Sequence, residues 1–110
     1  MPLLERVRVE IYLPDLPSSS YRDLLLAFED EFTYAFGGCT IIPDVRGNYL
    51  SQAGLKIQDR INLIYTDLPL ALSTNFESVA RYADELKRVA VDALAEESIL
   101  VAVTQVYHAV

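Results

Sequence analysis

The segment from Gly37 to Thr66, GGCTIIPDVRGNYLSQAGLKIQDRINLIYT, constrains this chain more than any other. A glycine pair that stops a helix is followed by a long strand, a tight return at Gly54 and a second long strand. Glycine takes the left-handed conformation of a helix C-cap without a Cβ penalty, which is why Gly37 and Gly38 read as a stop. A helical pattern flanks this hairpin on each side, and a further strand lies beyond each helix.

The outer elements are legible by period. Val7, Val9, Ile11 and Leu13 alternate with Arg6, Arg8, Glu10 and Tyr12. Period two is a strand with one face on a core. Pro14, Pro17 and Ser18 to Ser20 then make a turn, with Ser20 as the expected N-cap. From Tyr21 to Phe36, Leu24, Leu25, Phe28, Phe32 and Ala35 fall on one helical stripe. Cys39 to Leu50 is strand-like but broken. Pro43 lacks a ladder donor and Gly47 lacks a side chain, so an edge strand, a bulge or a close backbone approach is expected there. Leu55 to Thr66 returns. Asp67 to Thr74 reads as a loop, and Thr74 with Glu77 fits a capping box for a helix from about Asn75 to about Leu94. Ser98 to Tyr107 supplies the last strand, apolar on both faces at its start.

This order predicts one α+β domain over residues 1–110: a ferredoxin-like βαββαβ sandwich with two helices on one face of a four-stranded antiparallel sheet. The first and third strands are expected to be central. The uncovered face would carry Arg8, Glu10 and Tyr12. A last strand apolar on both sides, and an unpaired sheet edge, point to a homo-oligomer.

At 110 residues, 52% of them apolar, the chain can bury one core without staples. A single cysteine excludes an internal disulfide. The formal charge of −7 is carried largely on the helices and argues against nucleic acid and against an anionic membrane surface. MPLLERVRVEIYL has neither the basic start nor the apolar run of a signal peptide, and no apolar stretch is long enough to span a bilayer, so a cytoplasmic protein without membrane or nucleic-acid partners is expected.

Catalytic signatures are missing. There is no P-loop, GxGxxG, HExxH, CxxC or GxSxG, and the paired carboxylates Glu29-Asp30-Glu31 and Glu96-Glu97 read as solvated helix faces and ends. No catalytic residue, cofactor or metal ligand is assigned, and a non-enzymatic role is favoured. Cys39 reads as a small hydrophobe between helix and sheet rather than a ligand or redox thiol. His108, the only histidine, could act as a base or bind metal or haem iron, but its place near the end reads as a mobile tail. Tyr12, Tyr65 and Tyr107 suit interface packing better than base stacking.

The best candidate site is the irregular part of the second strand. Arg46 could hold a carboxylate or phosphate with Tyr49 closing over it, helped by Asp44 and Arg60. The structural alternative is a kinked edge with an ion pair from Arg46 to Asp44 or Asp59 across subunits.

Across residues 37–66 the chain resembles the PII-like superfamily, in particular the CutA-type divalent-cation tolerance proteins, through Cys39, Ile41-Ile42-Pro43, Val45, Tyr49, Gly54, Asp59 and Leu63-Ile64-Tyr65-Thr66. The Gly37-Gly38-Cys39-Thr40 and Arg46-Gly47 positions also resemble uncharacterised ferredoxin-like bacterial proteins. The resemblance implies a compact trimer with the hairpin packed between subunits, and sensing of a small anionic ligand in a subunit cleft. Its departures are a lack of tryptophan in the hairpin and few phosphate contacts beyond Arg46, Gly47, Lys56 and Arg60. Two other classes fit the same fold expectation: a dimeric α/β-barrel enzyme of monooxygenase or isomerase type using the open sheet face, with Tyr12, Tyr65 and His108 pointing in, and a purely structural interaction module.

Overall fold

Strand β1 (Leu3–Pro14) follows the predicted alternation and extends beyond it at both ends. In the computed structural model, which describes residues 2–110, Val7, Val9, Ile11 and Leu13 are wholly buried. The chain then forms α1 (Ser19–Phe36), β2 (Thr40–Leu50), β3 (Lys56–Leu68), α2 (Leu72–Leu94) and β4 (Leu100–Ala109). The sheet order is β2-β3-β1-β4 and every neighbouring pair is antiparallel. This is the expected α+β, ferredoxin-like arrangement with β1 and β3 in the centre.

Both helices cover the face that carries the β1 valines. From α1 come Tyr21, Leu24, Phe28 and Phe32, and from α2 Val79, Leu86 and Ala90, all buried. They meet Ile64 and Leu68 of β3 and Ile99 just before β4. An aromatic ladder ties the helices together. Phe28 stacks on Phe32 at 6.0 Å, Phe36 follows at 6.5 Å, and Tyr82 of α2 meets Phe36 edge-on at 5.6 Å. Offset and edge-on contacts suit the ring quadrupole. Burial, reinforced by the nearby Glu31 carboxylate, pushes the Tyr82 phenol up, and its hydroxyl donates to Glu31 at 3.1 Å.

Local signals set the ends. Helix α1 is capped two residues earlier in sequence than Ser20 suggested, by Ser18, whose Oγ accepts from the Tyr21 amide at 3.2 Å. Gly37 ends it at φ 91°, with its N–H donating to the Thr33 carbonyl. The start of α2 also departs from the sequence reading. The helix begins at Leu72 with Ala71 as N-cap, whose own side chain makes no capping hydrogen bond. Asn75 interrupts it at φ −129°, and its side-chain amide donates back to the Ala71 carbonyl at 2.8 Å and to Thr74 Oγ1 at 3.1 Å. Thr74 is thereby drawn to Asn75 rather than into a capping box with Glu77.

The two edges of the sheet are unlike. On β2 the register slips between Ile42 and Val45, and Asp44 sits at φ 60°. Pro43 contributes no donor there, so the bulge expected on this strand is present. A Cβ at Gly47 would lie 3.0 Å from Ile61 Cδ1, so a side chain there would require the Ile61 methyl to shift. Strand β4 pairs evenly with β1 from Leu3–Ala109 to Tyr12–Leu100, and it contains no Lys, Arg, Asp, Glu, Pro or Gly. No helix is long and apolar enough to cross a membrane among the described residues.

Truncating the centre of the ladder leaves a cavity that the surrounding helices cannot close. Phe32→Ala is expected to lower the unfolding free energy by about 3–5 kcal/mol, read by chemical denaturation. Phe76→Ala, at a side chain 65% exposed, is expected to change it by less than about 1 kcal/mol.

Candidate functional site

The residues singled out on the hairpin divide between its two faces. Arg46 lies directly opposite Arg60 in the β2–β3 register, and Tyr49 lies opposite Ile57. Side chains alternate along a strand, so Asp44, Arg46 and Arg60 share the helix side while Tyr49 sits on the uncovered side. Tyr49 therefore does not close over Arg46. It lines a separate depression with Tyr12, Asp59 and Leu100.

On the helix side the hairpin runs past the helices, and Arg46, Asn48, Gln58 and Arg60 are exposed. Asp44 and Arg60 form an ion pair at 2.7 Å within one chain. Their side chains are 71% and 68% exposed for Arg60 and Asp44 respectively, so solvent screens the pair and it adds little to stability. The hydrogen bond to Asp44 raises the Arg60 pKa further above its ordinary value. Arg46 has no ion-pair partner among the described residues. Two guanidiniums and one carboxylate thus line a depression of about 520 Å³, with one positive charge left over.

A second group of polar side chains, which sequence reasoning assigned only in part, lies on the uncovered face. Arg8 and Asp67 are register neighbours on the two central strands. Arg8 Nε donates to Asp67 Oδ1 at 2.8 Å and Nη2 donates to Oδ2 at 3.0 Å, a bidentate pair. The Arg8 guanidinium also stacks on Tyr65, 4.2 Å from the ring centroid. His108 is no mobile tail. It belongs to β4, pairs with Leu4, and reaches over β1 to place Nε2 2.7 Å from Asp67 Oδ2. Beside this group the Tyr12 hydroxyl donates to Glu10 at 3.0 Å.

Charge fixes the protonation pattern of the group. The Arg8 hydrogen bond, followed by that of His108, holds the Asp67 carboxyl below its ordinary value against the opposing effect of burial. Asp67 in turn raises the Arg8 guanidinium. An ionised Asp67 can only accept, so His108 Nε2 carries a hydrogen, and in the neutral imidazole Nδ1 is then the acceptor. Burial, then Glu10, raises the Tyr12 phenol. Among the described residues no three His, Cys, Asp or Glu side chains come together, and the Arg8 cation beside Asp67 works against a metal there. Cys39 packs against the core cluster from the helix side.

Asp67 escaped the sequence reading, and His108 was read as a tail, because that reading ended the third strand at Thr66 and the fourth at Tyr107. The signal was present: Leu63, Tyr65 and Asp67 continue one alternation, and Thr104, Val106 and His108 continue another.

Asp67 makes a pH prediction with a definite sign. Its native pKa lies below the unfolded one, so its contribution to stability is complete above the ordinary carboxylate range and is lost as pH falls through the native value. Asp67→Asn is expected to cost about 1–3 kcal/mol near neutrality. The stability gap between the two proteins should narrow steadily as the solution is acidified below about pH 4, followed by denaturant melts across the pH range.

No protein-family model matches the chain, and no curated protein matches it.

Proposed function

We propose that this protein is a homo-oligomeric, PII-like binder of a small anionic ligand, which it holds beside Arg46 and Arg60 in a cleft completed by a second subunit. The observation that carries the reading is the hairpin's charge arrangement: two adjacent arginines flank one carboxylate, which pairs with Arg60, and Arg46 has no ion-pair partner among the described residues. A guanidinium with free N–H groups matches carboxylate and phosphate geometry. The exposed apolar tip of the hairpin, with Tyr49, Leu50 and Leu55 more than half exposed, favours a neighbour that covers it.

A second reading, a dimeric α/β-barrel enzyme, is favoured by a different observation. Tyr12, Tyr65 and His108 all lie on the uncovered face, beside the Arg8–Asp67 pair. A second sheet packed over that face would enclose them.

Native mass spectrometry of gently purified protein separates these readings. A trimer that retains a small anion, with retention lost in Arg46→Gln, is the expected result. A dimer whose anion survives Arg46→Gln supports the barrel. Bare oligomers with no calorimetric response to adenine nucleotides, bicarbonate or common carboxylates leave only a structural interaction module.

A further inference from the structure

At the end of the sheet remote from the hairpin tip, a cleft of about 480 Å³ opens between the C-terminal end of α1 and the last residues of β3 and β4. Asp67 lies seven residues along β3 from Arg60, about 23 Å at ~3.3 Å per residue, so this cleft is separate from the hairpin depression. Arg6, Gly38, Thr40, Tyr65, Asp67 and His108 are among the residues that line it.

Three features of the cleft are unaccounted for by folding. First, Arg6 has no carboxylate partner among the described residues. Its Nη1 donates only to the neighbouring Glu5 carbonyl at 2.8 Å, and its remaining N–H groups are uncommitted. Second, the one carboxylate in the lining is already saturated. Asp67 is bound by Arg8 through both oxygens and by His108, so it neither neutralises Arg6 nor repels an incoming anion strongly. Third, Gly38 has no local need to be glycine. Its φ is not in the left-handed region, and a Cβ added there would meet nothing within 4 Å. A side chain at this position would instead project into open space on a loop pinned by Thr66, whose Oγ1 donates to the Gly38 carbonyl at 2.7 Å.

These features select a chemistry. Arg6 supplies unpaired donors for a carboxylate. In its neutral form His108, held by Asp67 through Nε2–H, offers Nδ1 as an acceptor, which a bare anion cannot use and a hydroxyl can. The carbonyl end of α1 lies on the same cleft, where the helix dipole disfavours bare negative charge and favours a donor. We propose that this cleft is a binding site for a small hydroxycarboxylate, its carboxylate held by Arg6 and its hydroxyl donating to His108 Nδ1. Asp67 and Arg8 act as positioning residues that fix the imidazole, and Gly38 keeps the cleft open.

The test is a titration of the labelled full chain with lactate and, separately, with propionate, its match without the hydroxyl, at mildly alkaline pH and followed by amide NMR. Lactate should shift Gly38, Thr40 and His108 saturably, and propionate should bind at least about five-fold more weakly, because a site built to accept a hydroxyl rejects the analogue lacking it. Gly38→Val, which adds a side chain to the cleft lining, and Arg6→Gln, each checked to retain the native amide spectrum, should each weaken lactate at least about ten-fold. Equal affinity for both acids, shifts confined to Arg46–Arg60, or undiminished binding in Arg6→Gln would overturn the proposal. Arg46→Gln is the converse control: it should leave the cleft titration unchanged, so the hairpin site and this one stand or fall separately.

Discussion

The rest of the structure depends on the register of β1. Its inward side chains, Val7, Val9, Ile11 and Leu13, have no exposed surface, and they are the surface on which both helices land. A slip of one residue against either neighbour would turn Arg8, Glu10 and Tyr12 into the core, a cost no alternative pairing could offset. The same register puts Arg8 opposite Asp67 and Leu4 opposite His108. The polar group on the uncovered face is therefore held in place by the packing of the covered one. The polar side chains of this group need no rigid loop, because the paired strands β3, β1 and β4 position them.

The arginines of this acidic chain fall into two kinds. Arg8 is spent: its guanidinium is paired, stacked and partly buried, and its work is to orient Asp67 and through it His108. Arg46 and Arg6 have no ion-pair partner among the described residues and lie at opposite ends of the sheet, in a protein with 16 carboxylates. Half of those carboxylates lie on the helices, and Glu96 and Glu97 follow just beyond α2. That segregation keeps the ends of the sheet open to anions while the molecule as a whole is negative.

The fold was legible because its signals are redundant. Alternation in β1, the stripe of α1 and the Gly37 stop each report the same answer independently. Sites were less legible, for three separate reasons. Asp44, Arg46 and Arg60 come together as expected, but Arg46 and Tyr49 differ in parity along one strand, and alternation alone would have parted them. Ile42 and Val45 share a face despite their odd spacing, because the bulge at Pro43 and Asp44 inserts a residue, and no residue count without partner strands reveals that. His108 was discounted by its position near the end of the chain, whereas an even ladder with β1 carries order out to Ala109. At α2 the capping motif was sound as local chemistry, but Gln105 of β4 accepts from the Leu72 amide at 3.3 Å, and the helix starts early to meet it.

The unlike edges of the sheet bear on how far such a molecule can grow. An even, uncharged strand such as β4 presents a full row of unpaired backbone groups and no side-chain charge to deter a newcomer. The bulged β2 edge presents a broken row. If two copies joined β4 to β4 about a two-fold axis, both outward edges of the joined sheet would be β2. The bulge would then act as a terminator, and lateral addition would stop after one step rather than running on into a fibre.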